Sequence, residues 1–206
     1  MSKRSSGTQL HPYVTFRLSG TGGQGLILAG RLLAEAASIY EGLNVVQTNS
    51  YGPEARGGAS RSEVVISKGE IDILHSPVID TLVCLSQQAC DAYYGDLSNT
   101  GLLITDSMLV GVVPTARAVE VPVTELAQTL GNKMTANVIA LGVLVSLTGI
   151  VRLESLKSAV AARAPKAFLE LNVKAVDVGF QAAAAVVGKW NAKRRSAIPD
   201  YSHIRG

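Results

Sequence analysis

The chain has 206 residues, which is enough for one domain with a substantial core. Hydrophobic residues make up 47% of it and aromatic residues only 5%, so we expect an interior of Val, Leu, Ile and Ala, as in a buried parallel sheet. The formal net charge of +3 comes from the two ends, because residues 1–12 contribute +2 and residues 189–206 contribute +4, which leaves residues 13–188 at −3. We therefore predict a basic N-terminal tail over 1–12, a folded domain over 13–188 and a basic C-terminal tail over 189–206. Since no RNA-binding signature accompanies the basic residues, docking on a partner or solubility is a better explanation of the tails than nucleic-acid or membrane binding.

The first predicted element is a strand over 13–18, which leads into the glycine-rich turn "SGTGGQG". A helix over 23–40 follows, because apolar residues recur there at helical spacing. A second strand over 43–48 precedes a loop over 49–58 that is rich in turn residues. The next strand, over 60–67, could pair with its predecessor.

The second half of the chain continues this alternation of strands and helices. A strand over 80–85 precedes a short helix over 87–97, and two more strands are predicted at 101–105 and 117–123. The remainder is helical in pattern, over 124–130, 134–149, 153–163 and 166–188. Such alternation predicts a three-layer α/β/α, Rossmann-like domain with a mostly parallel sheet. In these sheets ligands bind at the carboxyl ends of the strands, so loops 19–25, 49–58, 86–88 and 106–108 predict one binding edge.

The glycine turn raises the possibility of a dinucleotide site. Gly20, Gly22 and Gly25 fit the G-x-G-x-x-G pattern, and a helix N-terminus after such a turn attracts anions because its first amides lack partners. A dinucleotide also needs an acidic residue about 20 positions further on to bind its ribose, but that stretch reads "QTNS" and the next acid is Glu54. We therefore favour an anionic ligand other than NAD or FAD.

The second loop supplies positive charge to the same predicted edge. Its sequence "SYGPEARGG" places Arg56 beside Gly57 and Gly58, and a guanidinium next to open backbone amides suits a phosphate or a carboxylate. Composition alone favours a surface hairpin with a solvated Arg56, so both interpretations stay open.

Catalytic and metal-binding motifs do not emerge from the sequence. There is no G-x-S-x-G or H-E-x-x-H motif and no Cys–His arrangement, and the two cysteines are too few for an iron–sulfur cluster or a structural zinc site. We expect no catalytic residue and no metal ligand, and we interpret His75 as structural. Because the first residues contain no apolar signal segment, we expect a cytoplasmic protein.

One span lacks charge altogether. Residues 134–151, "MTANVIALGVLVSLTGIV", only just reach the length of a membrane-spanning helix, and their polar residues and glycines favour a helix in the core or in an interface. We interpret Asn137 within it as a satisfied polar group. Since an exposed apolar helix needs a partner, we expect the chain on its own to self-associate.

The order of several motifs resembles that of a known family. These motifs are "GTGGQG", "VVQTNSYGPEARGGASRSEVVIS", "LVCLSQQACDAYY", "GLLITDSMLV", "ANVIALGVL" and "LELNVKAVDVGF". Over residues 13–188 the chain is similar to the γ subunit, or the γ domain of fused chains, of the 2-oxoacid:ferredoxin oxidoreductases. The resemblance does not cover residues 1–12 or 189–206.

The resemblance implies a role in an assembly. The family's enzymes oxidatively decarboxylate a 2-oxoacid with CoA to give acyl-CoA, CO2 and reduced ferredoxin. It implies thiamine diphosphate on the α and β partners, iron–sulfur clusters on β or on a ferredoxin-like δ subunit, and Mg on partner subunits only, with CoA as the ligand of this chain. By the same resemblance, the residues expected to help bind CoA are Gly22, Gly23, Gln24, Gly25, Tyr51, Gly52, Arg56, Gly57, Gly58, Ser86 and Gln87. A purely structural assembly subunit and a stand-alone nucleotide-binding oxidoreductase are the alternatives.

Overall fold

The structure, a computed structural model, describes residues 13–50, 59–190 and 192–205. Within these residues six strands form one sheet. They are β1 (Tyr13–Thr21), β2 (Asn44–Ser50), β3 (Ala59–Ser67), β4 (Ile79–Cys84), β5 (Leu97–Asp106) and β6 (Val119–Val121). The predicted strands are all present, and their bounds differ from the prediction mainly at β5, which begins earlier, and at β6, which is shorter.

The strand order across the sheet is β2-β3-β1-β4-β5-β6. The neighbouring pairs β1–β4, β4–β5 and β5–β6 are parallel, whereas β3 is antiparallel to both β1 and β2. Only β3 therefore opposes the common direction. The expected pairing of the second and third strands is confirmed.

Seven helices accompany the sheet in the described part of the chain. They are α1 (Leu26–Glu35), α2 (Gln87–Tyr93), α3 (Val123–Thr129), α4 (Ala136–Thr148), α5 (Leu153–Arg163), α6 (Leu169–Gly188) and α7 (Ala192–Arg195). The first of these continues as a π-helical turn over Ala36–Tyr40. The predicted helices correspond to α1–α6, and α7 was not predicted.

The core lies in two layers, one on each face of the sheet. Alternate residues of β1, namely Val14, Phe16 and Leu18, join a large cluster with α1 and α3–α6. Cys84 of β4 and Leu103 of β5 face the other way, against Cys90 of α2 and the segment 107–118. The predicted Rossmann-like α/β domain with a mostly parallel sheet is thus confirmed, and its second layer consists of one short helix and an irregular segment.

Helix α4 is the centre of the larger layer. All of its residues except Ala136 and Ser146 are buried, as an almost entirely apolar sequence requires. It crosses α6 closely, because a Cβ on Gly142 would lie 2.2 Å from the carbonyl oxygen of Val176. The chain itself covers this helix. The premise that this helix exposes an apolar surface is therefore wrong, whereas self-association of the isolated chain stays a prediction.

A charged network lies on the α2 side of the sheet. The buried Arg17 guanidinium pairs with Glu63 at 2.7 Å and also with Asp96, and the Tyr93 ring lies 5.1 Å from it. The Nδ1 atom of His75 lies 2.6 Å from the second oxygen of Glu63. Because each buried charge has an opposite partner, the network links β1, β3 and the segment before β4 without leaving an isolated charge.

The C-terminal segment packs against the domain at the amino ends of the strands. The amide of Tyr201 donates a hydrogen bond of 2.7 Å to the carbonyl of Thr148, and its ring meets that of Phe16 edge-on at 5.8 Å. Burial raises the pKa of the Tyr201 hydroxyl above its usual range. Ile204 is also buried, and Arg194 lies 3.7 Å from the centre of the Trp190 ring. This part of the predicted basic tail is thus ordered on the domain.

Candidate functional site

The four loops of the predicted binding edge attach to the sheet at one margin, where the parallel strands end. β1 ends at Thr21, β4 at Cys84 and β5 at Asp106, and Cys84 of β4 pairs with Thr105 of β5. β3 begins at Ala59, which pairs with Thr21. The glycine turn, the segment 51–58 and the loops after β4 and β5 therefore start or end at one margin of the sheet.

The glycine turn is locked by its own glutamine. The Oε1 atom of Gln24 accepts a hydrogen bond of 2.7 Å from the amide of Thr21, and its Nε2 atom donates one of 2.9 Å to the carbonyl of Leu85. Gly20 permits this, because a Cβ there would lie 2.2 Å from Oε1. The Gln24 side chain therefore braces β1 against β4, and its amide is engaged within the protein.

Gly25 makes the second close contact of the turn. Its φ of 73° is unfavourable for other residues, and a Cβ would lie 2.4 Å from Nδ2 of Asn137. That amide nitrogen donates a hydrogen bond of 3.0 Å to the Gly25 carbonyl. The structural interpretation of Asn137 is consistent with this contact, which joins the starts of α1 and α4.

The outer side of the turn is open. No described atom lies within 4 Å of the position that a Cβ on Gly22 or Gly23 would take. Among the described residues no side chain caps α1, and its first turn contains no acidic residue. An uncapped helix N-terminus next to exposed glycine backbone is chemically suited to an anion.

A pocket of about 230 Å³ adjoins the turn. Its lining includes one cation, the exposed Lys133, and no carboxylate among the described residues. The residues that line it are Gly23, Gln24, Leu109, Thr124, Lys133, Met134 and Ala136. A pocket of this size has room for part of a cofactor-sized ligand, and its only positive charge among the described lining residues is Lys133. Lys133 carries no motif, and sequence reasoning missed it.

The loops after β4 and β5 are held by polar side chains at this edge. The Ser86 hydroxyl caps α2 by accepting a hydrogen bond of 3.2 Å from the Ala89 amide. The Gln87 side chain donates to the Val112 carbonyl at 3.0 Å and accepts from the Val112 amide at 2.9 Å. The buried carboxylate of Asp106 accepts from the amides of Met108 and Thr124. Ser86 and Gln87 thus lie at the predicted edge, with their polar groups engaged in the protein's own structure.

The remaining predicted ligand residues belong to the second loop. Tyr51, Gly52, Arg56, Gly57 and Gly58 lie outside the described residues. The loop's two attachment points are described: Ser50 pairs with Arg61, and Ala59 pairs with Thr21, the residue directly before the glycine turn. Both attachment points lie at the sheet margin that carries the turn.

The two cysteines lie beneath this edge. Both are buried and free, and hydrogen bonding to the Cys90 thiol together with burial raises the pKa of the Cys84 thiol. In the part of the chain that the structure describes, no three His, Cys, Asp or Glu side chains come together as metal ligands would. No helix of the described segments is long and apolar enough to cross a bilayer.

The fold and this edge define a Rossmann-like domain whose strand margin carries an open glycine turn at an uncapped helix N-terminus. The family model described as pyruvate ferredoxin/flavodoxin oxidoreductase matches residues 15–182. The 2-oxoglutarate synthase subunit KorC of Methanocaldococcus jannaschii is 45% identical over 172 residues, which cover 81% of this chain and 92% of the relative. The chain belongs to the pyruvate ferredoxin/flavodoxin oxidoreductase family and is a homologue of the γ subunits of its oxidoreductases, as the motif resemblance predicts.

Solved structures agree with this assignment. The γ subunit of a keto/oxoacid ferredoxin oxidoreductase from Geobacter sulfurreducens is 46% identical and matches with a TM-score of 0.79, covering 85% of this chain and 99% of that chain. A 2-oxoglutarate:ferredoxin oxidoreductase from Magnetococcus marinus, described with 2-oxoglutarate, coenzyme A and succinyl-CoA bound, shares the fold with a TM-score of 0.76 at 21% identity. The match covers 85% of this chain and 32% of that longer chain.

Proposed function

We propose that this chain is the γ subunit of a CoA-acylating 2-oxoacid:ferredoxin oxidoreductase and that its strand edge helps to bind CoA. The complex would oxidatively decarboxylate a 2-oxoacid to acyl-CoA and pass the electrons to ferredoxin. The single observation that carries the CoA assignment is the open glycine turn at the uncapped start of α1. The presence of CoA in the Magnetococcus marinus structure supports it.

The chemistry of CoA fits the residues at this edge. CoA carries a diphosphate and a 3′-phosphate, which exposed backbone amides and cations recognise. Gly22 and Gly23 leave room for a phosphate to approach the backbone, and Lys133 lines the adjoining pocket. Arg56 would add a guanidinium from the loop attached at Ser50 and Ala59. The apolar wall formed by Leu109 and Met134 suits the uncharged arm of CoA.

The reaction itself is assigned to partner subunits. The polar side chains at the described part of the edge form hydrogen bonds with backbone amides and carbonyls; they are Gln24, Ser86, Gln87 and Asp106. The raised pKa of Cys84 keeps its thiol protonated, so it is a poor nucleophile. Thiamine diphosphate and Mg would accordingly lie on the α and β subunits and the iron–sulfur clusters on β or a δ subunit, and ferredoxin would interact with the assembled complex.

Substitution of Arg56 by Ala in the reconstituted complex tests the proposed function. If Arg56 contacts a desolvated phosphate, the variant should raise the KM for CoA by about 10- to 100-fold, with the KM for the 2-oxoacid unchanged. Assays of ferredoxin reduction with 2-oxoglutarate, the substrate class named for the KorC relative, measure both constants.

A matched control uses a cation at the same edge. Arg61 pairs with Glu63 at 3.5 Å on the α2 side of the sheet, so Arg61→Ala should leave the KM for CoA within about twofold. Unchanged CoA saturation in the Arg56 variant would remove this residue from the binding site.

A purely assembling role remains the second candidate, favoured by the internal engagement of Ser86 and Gln87. Native mass spectrometry separates the two roles. Loss of partner subunits from the Arg56→Ala complex would indicate an interface, whereas an intact complex with a raised KM for CoA would indicate a ligand contact.

A further inference from the structure

An apolar ridge flanks the candidate site, on the loop that follows β5. Its most exposed members are Met108 and Val112, which are 55% and 71% exposed, and Leu109 is 39% exposed. Leu109, between them in sequence, lines the pocket beside the glycine turn. The ridge therefore lies directly next to the proposed CoA site. It contains no charged residue, since the segment from Ser107 to Thr115 reads "SMLVGVVPT".

The protein holds this ridge in one conformation. Asp106 accepts hydrogen bonds from the amide of Met108 through its carboxylate and from the amides of Leu109 and Val110 through its carbonyl. Val110 is buried beneath the ridge. The side-chain amide of Gln87 hydrogen-bonds to both the backbone N–H and the carbonyl of Val112. The loop thus presents large apolar side chains to solvent on a pre-ordered backbone, which lowers the entropic cost of docking.

We infer that the ridge of Met108 and Val112 is the docking surface for the catalytic partner subunit, which meets it with an uncharged apolar surface. This inference rests on the proposed function. A ligand held at the strand edge must reach a reaction centre that the described edge does not supply, so the partner has to approach this margin. The ridge is an exposed apolar surface beside the ligand position, Met is enriched in interfaces, and a few buried side chains near the centre of an interface carry most of the binding energy.

The length of a protein of the same fold supports a protein, rather than a small molecule, as the partner that covers the ridge. In the Magnetococcus marinus enzyme the matching region is 32% of a longer chain, so a domain of this fold is covalently joined there to further domains. A second copy of this chain is the competing occupant, and the test is designed to reveal it.

The test compares Val112→Glu with a matched control in the complex assembled from this chain and its catalytic subunits. Leu74 is 75% exposed and belongs to the segment between β3 and β4, at the opposite edge of the sheet, so Leu74→Glu is the control. We expect Val112→Glu to raise the dissociation constant for the catalytic subunits by at least about 30-fold. Leu74→Glu should change it by less than about twofold. Thermal unfolding of each isolated variant should match that of the wild-type chain, since both side chains are exposed.

Steady-state kinetics separate this inference from the proposed function. At saturating concentrations of Val112→Glu the complex should regain the wild-type KM for CoA, which shows that the ridge is not the ligand site. An unchanged dissociation constant would overturn the inference. The inference would also be overturned if the wild-type chain formed a homodimer that Val112→Glu dissociates, while the variant kept its affinity for the catalytic subunits. A raised KM for CoA with unchanged assembly would also overturn it, and would assign the ridge to the ligand.

Discussion

At the residue scale, neighbouring glycines of one turn serve different purposes. Gly25 is required by the fold, because its positive φ and the nearby Asn137 amide leave no place for a side chain. Gly22 has open space around it, and its backbone conformation is ordinary. A fold requirement therefore does not explain Gly22, whereas the proposed approach of a CoA phosphate to the backbone would.

Paired substitutions separate these two purposes. Gly22→Ala should leave the free energy of unfolding within about 0.5 kcal/mol of the wild-type value and raise the KM for CoA about tenfold, because the methyl group enters the space that a phosphate would use. Gly25→Ala should lower the free energy of unfolding by at least about 1–2 kcal/mol. Chemical denaturation of the isolated chain and CoA saturation of the complex measure the two effects. A destabilised Gly22→Ala with normal CoA kinetics would contradict the account.

Sequence reasoning located the glycine turn and named Gln24 and Asn137, but it did not predict the contacts by which these two residues lock the turn. Gly25 and Gly22 belong to a local motif, so their positions are readable from the sequence. The partners of Gln24 and Asn137 are backbone groups of other segments, at Leu85 and Gly25, which only the fold brings together. The same holds for Arg17, which alternates with Phe16 and Leu18 along β1 and so lies on the other face of the sheet, but whose partner Glu63 depends on strand register.

At the scale of elements, α4 and α6 pack through reciprocal glycines. A Cβ on Gly179 of α6 would lie 2.0 Å from the carbonyl oxygen of Ile139 in α4, and a Cβ on Gly142 would approach the Val176 carbonyl in return. The small residues let the two backbones lie close together across the middle of the larger core layer. Any added carbon has to push the helices apart, because the atoms that it meets belong to the backbone.

Substitutions within α6 test this contact. Gly179→Ala should lower the free energy of unfolding by at least about 2 kcal/mol through overpacking. Gly188→Ala lies at the end of the same helix, where no described atom approaches a Cβ within 4 Å, and should be neutral or stabilising by up to about 1 kcal/mol. Thermal or urea unfolding gives both values. Equal effects of the two substitutions would rule out close backbone packing.

The pattern of elements was predictable because hydrophobic periodicity is a local property. α5, predicted over 153–163, has the bounds Leu153–Arg163. α1 was predicted from Gly23 and begins at Leu26, since the positive φ values of Gly23 and Gly25 are incompatible with a helix. Periodicity could not decide whether α4 is covered by this chain or by a partner. The answer depends on α6, which follows more than 20 residues later in the sequence.

At the scale of the whole molecule, the two edges of the sheet have different roles. The carboxyl edge bears the glycine turn, the pocket and the apolar ridge. The C-terminal segment packs against the amino edge through Tyr201 and Ile204. These apolar contacts were not predicted, because the segment is basic in overall composition. Stability and the proposed function should therefore be separable by position.

Tyr201 tests this separation. Tyr201→Ala removes the ring that packs edge-on against Phe16 and should lower the free energy of unfolding by about 2–4 kcal/mol, whereas Tyr201→Phe retains the ring and should cost less than about 1.5 kcal/mol. Neither variant should change the KM for CoA once the complex is assembled. Urea unfolding and CoA saturation measure both properties, and an altered KM for CoA in the Tyr201→Phe complex would contradict the separation.

The most direct test of the central claim is the omission of this chain from the reconstituted enzyme. The rate of CoA-dependent ferredoxin reduction by a 2-oxoacid is measured with the catalytic subunits alone and again after titration with the chain. The account predicts that acyl-CoA formation fails without the chain and returns in proportion to bound chain, with a normal KM for CoA. Full CoA-dependent activity of the catalytic subunits alone, or turnover by the isolated chain, would contradict it.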